Sequence, residues 1–451
     1  MRGTMIRWAV VLVLVSIPVM GSENATGPSV AKAEGVVAGH GGESFVPLRE
    51  LLERTLRDNP RIRDARDRLR AAETLMPQAK SQLLPSVAIE WDNTLSSSRW
   101  QGGSSQSDPT SATLSVSQPL FDLETMRDFR RMVPYVKAAA MDLEAVRQKV
   151  FLEFLELATA LIQEQEVAAL SEKNHTLTQA HLDATRIRFE AGELTRTDVS
   201  QSLARVYAAK AGWIAAKANV AARQAGLSEL VSGTIPEPLE LPPIRLELLR
   251  NSWAELELLL EKRPDLEAER QRVEVERMNV EARRAGYLPT ASLDSTGART
   301  WDPSSGVAGP ENDLSVTVKV SWPLYSGGLT GAQIDEAIAN RDARQSNLER
   351  LRLSAQRELK VALLDHEKFA AEDQANEVRV TAARDALDGV TREHQVGTRT
   401  SLDLLDAQNE FFSAETEKVK SRHGVNLARF RILGILGMLS WEALASRSGH
   451  E

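Results

Sequence analysis

Leu314-Ser-Val-Thr-Val-Lys-Val-Ser-Trp322 alternates without a fault: Leu314, Val316, Val318, Val320 and Trp322 fall on one side, Ser315, Thr317, Lys319 and Ser321 on the other. Strand side chains point to opposite faces with period two, so this is a strand with one apolar and one polar face. Its end, Ser321-Trp-Pro323-Leu-Tyr325, has a counterpart 204 residues earlier in Ser117-Gln-Pro119-Leu-Phe121, where Leu114 and Val116 alternate with Thr113, Ser115 and Ser117. A motif that returns at a fixed distance asks for a search of the whole chain at that offset.

Two more landmarks align at 204. Asn59-Pro60-Arg-Ile-Arg-Asp-Ala-Arg matches Arg263-Pro264-Asp-Leu-Glu-Ala-Glu-Arg, each opening an Ala/Glu/Arg-rich helical stretch with proline at a permitted first-turn position. Leu84-Pro85 matches Leu288-Pro289, where the helices must stop because proline disfavours helix in the residue before it. One residue out of register, Arg188-Phe-Glu-Ala-Gly192 with Thr197-Asp198-Val199 matches Glu393-His-Gln-Val-Gly397 with Leu402-Asp403-Leu404. The chain is one unit written twice, over 45–234 and 251–440, with the Pro-rich stretch 235–250 as connector and 441–451 as a C-terminal tail.

Each unit carries one hairpin, over about residues 85–120 and 289–323. The leading strands hold Val87, Ile89 and Trp91 in the first copy and Ala291 and Leu293 in the second, and polar Gly/Ser/Pro-rich loops at roughly 96–110 and 302–312 close the turns. Strands of about nine to eleven residues suffice for a tilted strand to cross a bilayer. Trp91, Trp100, Trp301 and Trp322 lie in or beside these hairpins, where an aromatic girdle belongs. Strands of this pattern fit a soluble sheet with one wet face equally well.

After the hairpins, Leu123 to Glu190 and Gly328 to Gln395 run nearly without breakers, apart from Pro134 and a few glycines. As helix each reaches ~100 Å at ~1.5 Å per residue, a length that needs partners along its side. The returning helices supply them. Leu404, Phe411, Val425 and Ile432 fall on a seven-residue frame interrupted by Lys418, interleaved with Ala407, Ala414, Ser421, Ala428 and Ile435. The first copy repeats the frame with Val199, Val206, Trp213, Val220 and Leu227, interleaved with Ser202, Ala209, Ala216, Arg223 and Leu230. That is a coiled-coil seam with small residues in alternate rows. By themselves the helices fit a periplasmic coiled-coil scaffold or adhesin without a pore.

Composition narrows the class. The 451 residues are 42% hydrophobic, enough for a large core, and a net charge of -8 argues against nucleic acid as partner. Arg2 and Arg7 precede the apolar run from Trp8, followed by Pro18 and small residues, which reads as a secretory signal over 1–25. Cleavage patterns near Gly21 and at Ala31-Lys32-Ala33 bracket the mature N-terminus between 21 and 33, ahead of a disordered stretch to residue 44. The absence of cysteine excludes disulfides, thiolate metal sites and a lipidated N-terminal cysteine. No later run reaches eighteen apolar residues, so a membrane crossing requires strands. With seven scattered histidines and no HExxH, GxSxG or P-loop pattern, the sequence assigns no catalytic residue, no metal site and no cofactor.

Two hairpins give four strands, and four strands leave unpaired edges in lipid. Three copies give twelve strands, an even number within the outer-membrane range, whereas the interior of an eight-stranded barrel is filled by side chains. A conducting pore therefore favours a homotrimer.

Gln395-Val-Gly397-Thr-Arg399-Thr-Ser-Leu-Asp403-Leu-Leu-Asp406-Ala-Gln resembles the signature of TolC-family outer-membrane proteins, and the Pro-Leu-Phe/Tyr turns and Leu433-Gly434-Ile-Leu436-Gly437 agree over nearly all of 45–440. The resemblance implies a membrane α+β fold: four strands per chain in a trimeric twelve-stranded transmembrane β-barrel, continued by a long α-helical barrel in the periplasm. It implies a passive duct in the outer membrane of a Gram-negative bacterium, opened at its periplasmic tip by an adaptor (membrane fusion) protein and an inner-membrane ABC or RND transporter. The Val-Gly-Thr-Arg-Thr form resembles the type I protein-secretion branch more than the lipoprotein multidrug branch, with efflux still open. By spacing alone, Asp403 is the acid of a Thr400-Ser-Leu-Asp403 capping box. The resemblance instead implies that Asp403 and Asp406 form acidic rings at the pore constriction. It also implies a periplasmic gate latch of Thr197, Asp198 and Arg399, with His394 where the family often has tyrosine, and adaptor docking around the tip turns at Gly192 and Gly397.

Overall fold

The computed structural model describes residues 46–107, 109–235, 239–241, 252–301 and 309–441. The expected signal segment, the stretch before residue 46, most of the connector and nearly all of the tail lie outside the described residues.

The first unit opens with helices α1 (Val46–Asp58) and α2 (Pro60–Ser81). Asn59 separates them: its side-chain oxygen accepts from the Arg61 amide at 2.9 Å, and its amide nitrogen donates to the Leu230 carbonyl at 3.1 Å. One buried residue thus caps α2 and ties it to the returning helix. Pro60 takes the first helical position, where its missing N–H costs nothing. The second unit repeats the pair as α5 (Trp253–Leu260) and α6 (Pro264–Ala285), but Arg263 stands in the cap position and makes no cap bond. Its guanidinium instead reaches Asp265 at 2.8 Å and Glu358 at 3.2 Å.

Strands β1 (Ser86–Asn93), β4 (Thr110–Phe121), β5 (Thr290–Trp301) and β6 (Glu311–Ser321) form one antiparallel sheet in the order β1-β4-β5-β6. The two hairpins are therefore joined side by side within one chain. Residues 96–110, expected as a loop, instead contain a short hairpin of β2 (Ser96–Trp100) and β3 (Gly103–Ser107). Its Ser-rich strands carry no apolar alternation to read, and Gln101-Gly102 is the two-residue turn between them. Trp100 ends β2, and its side chain lies outside the described ones.

Register puts like residues on one face. Ile89, Leu114, Gly297 and Leu314 form one rung, and Val87, Val116, Ser295 and Val316 the next. Leu314, Val316, Val318 and Val320 stay 64–77% exposed in the single chain, so this apolar face has no protein cover. The opposite face is polar, with Ser115 beside Thr296 and Ser315, and Ser117 donating to Asp294 at 2.6 Å.

Two long helices, α3 (Leu123–Glu190) and α7 (Leu329–Gln395), leave the sheet at the start and end positions read from sequence to within one residue. The returning α4 (Arg196–Val231) packs along α3 and α8 (Ser401–Ile435) along α7, while α3 also contacts α8. Val206, Leu227, Leu404, Val425 and Ile432 of the expected seam are buried, as are Ser202, Ala216, Ala414, Ser421 and Ala428 of its small rows. Lys418, the interruption in that seam, is answered by Asp373 at 3.2 Å and Glu377 at 2.5 Å on α7. Arg223, placed in the same small row by periodicity, is exposed.

The heaviest packing lies where the shorter helices surround the long ones. Leu48, Leu52, Ile62, Phe154, Leu155, Leu227 and Phe430 form one core. Leu256, Leu260, Leu266, Leu359 and Ile432 form the related core of the second unit. Helices lie side by side as α2, α3, α6, α7, which is the order of the strands they continue.

If the apolar sheet face meets lipid, arginine there costs about 2–4 kcal/mol at mid-depth and little on the wet face. Val316→Arg is expected to abolish or sharply reduce heat-resistant oligomers in outer-membrane fractions, whereas Thr317→Arg on the adjoining position preserves them. Equal behaviour of the two variants on gels of unheated samples contradicts the assignment of faces.

Candidate functional site

The end of the helical body remote from the sheet is built twice from the same parts. After α3, Gly192 at φ +80° lets the chain reverse, its amide donating to the Phe189 carbonyl at 2.9 Å and the Glu193 amide to Arg188 at 2.9 Å. After α7, Gly397 at φ +83° does the same, with Gly397 to His394 at 3.1 Å and Thr398 to Glu393 at 2.9 Å. A left-handed residue at this place closes the helix carbonyls, and glycine adopts it without a Cβ clash.

Each returning helix then starts in a capping box. Asp198 accepts from the Thr195 amide at 2.9 Å and hydroxyl at 2.7 Å, and Asp403 accepts from the Thr400 amide at 3.0 Å and hydroxyl at 2.8 Å. The box anticipated for Asp403 by spacing is present, and the same box occupies Asp198. Hydrogen bonds from the Thr195 hydroxyl and backbone hold Asp198 below the usual carboxylate range. The Thr400 backbone and hydroxyl do the same for Asp403, with Arg399 adding attraction. A depressed carboxylate stabilises the fold above its unfolded value, so both caps are in place at neutral pH and are lost as pH falls through the depressed value.

The remaining residues of the expected site fall into three groups. Asp406 pairs with Arg205 of α4 at 2.7 Å, linking the two returning helices. Arg399 pairs with Glu393 of its own hairpin at 2.8 Å rather than with Asp198, and Thr197 is exposed. His394 sits between hairpins: Arg188 of α3 lies 3.2 Å from Nε2, and the Arg399 carbonyl lies 3.0 Å from Nδ1. Guanidinium only donates, so Nε2 accepts and Nδ1 carries the proton that is given to the carbonyl. Within one chain His394 and Arg399 therefore meet, while Asp198 makes no bond to either among the described residues.

Arg188, Arg205, Glu393 and His181 are partners that the sequence reading did not single out. Gln408 of α8 bonds to His181 of α3, and burial, with His394 nearby, holds the His181 imidazole low. One signal was available: Arg188 and Glu393 occupy equivalent places in the two copies with opposite charge. Among the described residues no cluster of His, Asp and Glu could hold a metal ion, and no helix is long and apolar enough to cross a membrane.

The family model for outer membrane efflux proteins matches this chain twice, over residues 51–233 and 256–438. The chain belongs to the outer membrane efflux protein family. Its members are passive outer-membrane channels, not enzymes, and the outer membrane is where this protein resides. The outer membrane efflux protein BepC of Brucella suis is 28% identical over 332 residues, 73% of each chain. The alkaline protease secretion protein AprF of Pseudomonas aeruginosa is 27% identical over 335 residues, 73% of this chain and 69% of AprF. The solved structure of the outer-membrane channel OprN superimposes with a TM-score of 0.77 at 22% identity, over 92% of this chain and 99% of that one. Membership of the TolC group, expected from the motif that runs from Gln395 to Gln408, holds, as does the fold of a four-stranded sheet continued by long helices.

His394 is an acceptor toward Arg188 and so joins the two hairpins. The charged groups around this contact are His181 and Arg188 on α3, Glu193 in the first turn, Glu393 and Arg399 in the second, and Asp403 on α8.

Proposed function

We propose that three copies of this chain enclose one pore and act as the exit duct of a tripartite export system, with type I protein secretion as its cargo route. The observation that carries the closed pore is the pair of open flanks. β1 and α2 lie at one side of the chain and β6 and α7 at the other, each paired within the chain on one side only. β6 of one copy runs antiparallel to β1 of the next, so a neighbour can continue the sheet with the same ladder. Exposed Leu353, Val361, Leu364 and Val378 on α7, and Leu203, Tyr207 and Ile214 on α4, provide apolar contact for the same closure.

On this reading the capped turns at Gly192 and Gly397 meet a periplasmic adaptor, and an inner-membrane ABC or RND transporter drives the cargo. Relatedness to AprF, named for alkaline protease secretion, supports the protein route. Relatedness to BepC, named as an efflux protein, supports small-molecule efflux as the second reading. A deletion strain decides between them: loss of a secreted protein from the medium with unchanged drug susceptibility favours the first, and the reverse result favours efflux.

Threefold symmetry gathers the carboxylates of Asp403 and Asp406 into rings that attract cations at the narrowest point. Thr197, Asp198, His394 and Arg399 then act as the latch between neighbouring tip helices, Arg399 exchanging Glu393 for a neighbour's group. In the present arrangement Arg205 offsets the charge of Asp406.

Asp403→Ala with Asp406→Ala is expected to raise the trivalent-cation concentration for half-block of single-channel current by about tenfold, equivalent to ~1.4 kcal/mol. Arg205→Ala shifts it the opposite way by exposing Asp406. Block that is indifferent to all three substitutions removes these carboxylates from the constriction.

A further inference from the structure

On the apolar face of the sheet the side chains change character toward the end remote from the helices. Rungs of Val87, Val116 and Val316 and of Ile89, Leu114 and Leu314 give way to Trp91, Ala112, Arg299 and Asn312. Beyond these come Asn93, Thr110 and Trp301, with Asn93 donating to Thr110 at 3.0 Å. Trp91 and Trp301 lie with ring centroids 5.4 Å apart, and the Arg299 guanidinium carbon stands 5.3 Å from the Trp301 ring centre. At the other end of the same face Trp322 donates its indole N–H to the Tyr287 carbonyl at 3.1 Å.

From Val320 to Asn312 the strand rises ~27 Å, which at the usual tilt approximates the height of a lipid-facing band. The tryptophan pair therefore sits at the outer boundary of hydrocarbon, where such rings collect. Arg299 is the one cation on this face among the described residues, it is exposed, and no carboxylate shares the face with it. An arginine turned toward lipid without a counter-ion calls for an anion from the lipid itself. Its planar fork suits phosphate oxygens, while the face of the Trp301 ring attracts the cation without taking up any of its N–H donors.

We propose that Arg299, seated on Trp301 beside Trp91, binds a phosphorylated headgroup of the outer leaflet, with the acyl chains lying against Ile89, Leu114 and Leu314. The inference rests on the proposed orientation, helices toward the periplasm and the tryptophan pair toward the cell surface.

The test uses the purified full-length protein in detergent, titrated in native mass spectrometry with diphosphoryl lipid A or with phosphatase-treated lipid A. The phosphorylated form is expected to bind at least about tenfold more tightly. Arg299→Gln removes that preference, Arg299→Lys retains part of it, and millimolar inorganic phosphate fails to displace the lipid. Equal binding of the two lipids by the parent protein overturns the proposal without reference to any variant. A preference that survives Arg299→Gln, or displacement by free phosphate, overturns it as well. Orientation is checked apart from lipid binding: the chain has no cysteine, so Gly102→Cys gives a single thiol that an impermeant maleimide labels on intact cells. Absence of that label points to the orientation, and loss of lipid discrimination with the label intact points to Arg299.

Discussion

A sheet edge in hydrocarbon has no water to satisfy its N–H and C=O groups, and each unpaired group costs several kcal/mol. β1 and β6 are the edges of the sheet, and both lie in strands whose apolar face is uncovered. The rest of the architecture follows this constraint. Strand order β1-β4-β5-β6 is carried into helix order α2, α3, α6, α7, so whatever completes the sheet also completes the helical wall. A neighbour need offer only a second copy of the same surface, and the wall and the barrel close together.

Duplication explains how one chain supplies two staves of each layer. The copies share geometry wherever the backbone demands it: proline at the first turn of α2 and α6, left-handed glycine at both tips, a threonine-aspartate box at the start of α4 and α8. They part where side chains meet a neighbour. Asn59 caps a helix, whereas Arg263 at the matching place joins Asp265 and Glu358. Arg188 and Glu393 match in place and oppose in charge. Such differences distinguish the two hairpins at the tip, although their backbones turn alike.

Much of the fold was legible because it rests on periodicity. The bounds of α3, α7 and the strand faces follow from breakers and alternation, which are local properties of the chain. The hairpin of β2 and β3 was not legible, since its serines have no apolar face to reveal a strand. For the site, the spacing Thr400 to Asp403 disclosed a cap because a capping box spans only three residues. The pairing of Asp406 with Arg205 joins residues 201 apart in the chain, and no local pattern marks it. Arg399, by contrast, finds its partner Glu393 only six residues away on the same hairpin.

Contact strength differs along the helical body. Near the shorter helices Phe154, Leu155, Leu227 and Phe430 are fully buried, and separating them exposes large apolar areas at about 25 cal/mol per Å². At the tip the links are polar and half-exposed: Arg205 with Asp406, Arg188 with Glu193 and His394. Exposed pairs of this type contribute at most about 1 kcal/mol each, and local opening takes place where such bonds are the main restraint. The capping boxes bond only within their own helices, so they survive a displacement of one hairpin against the other. On the proposed function, opening exchanges weak contacts between intact helices at one end, while the wall that excludes lipid and periplasm remains packed.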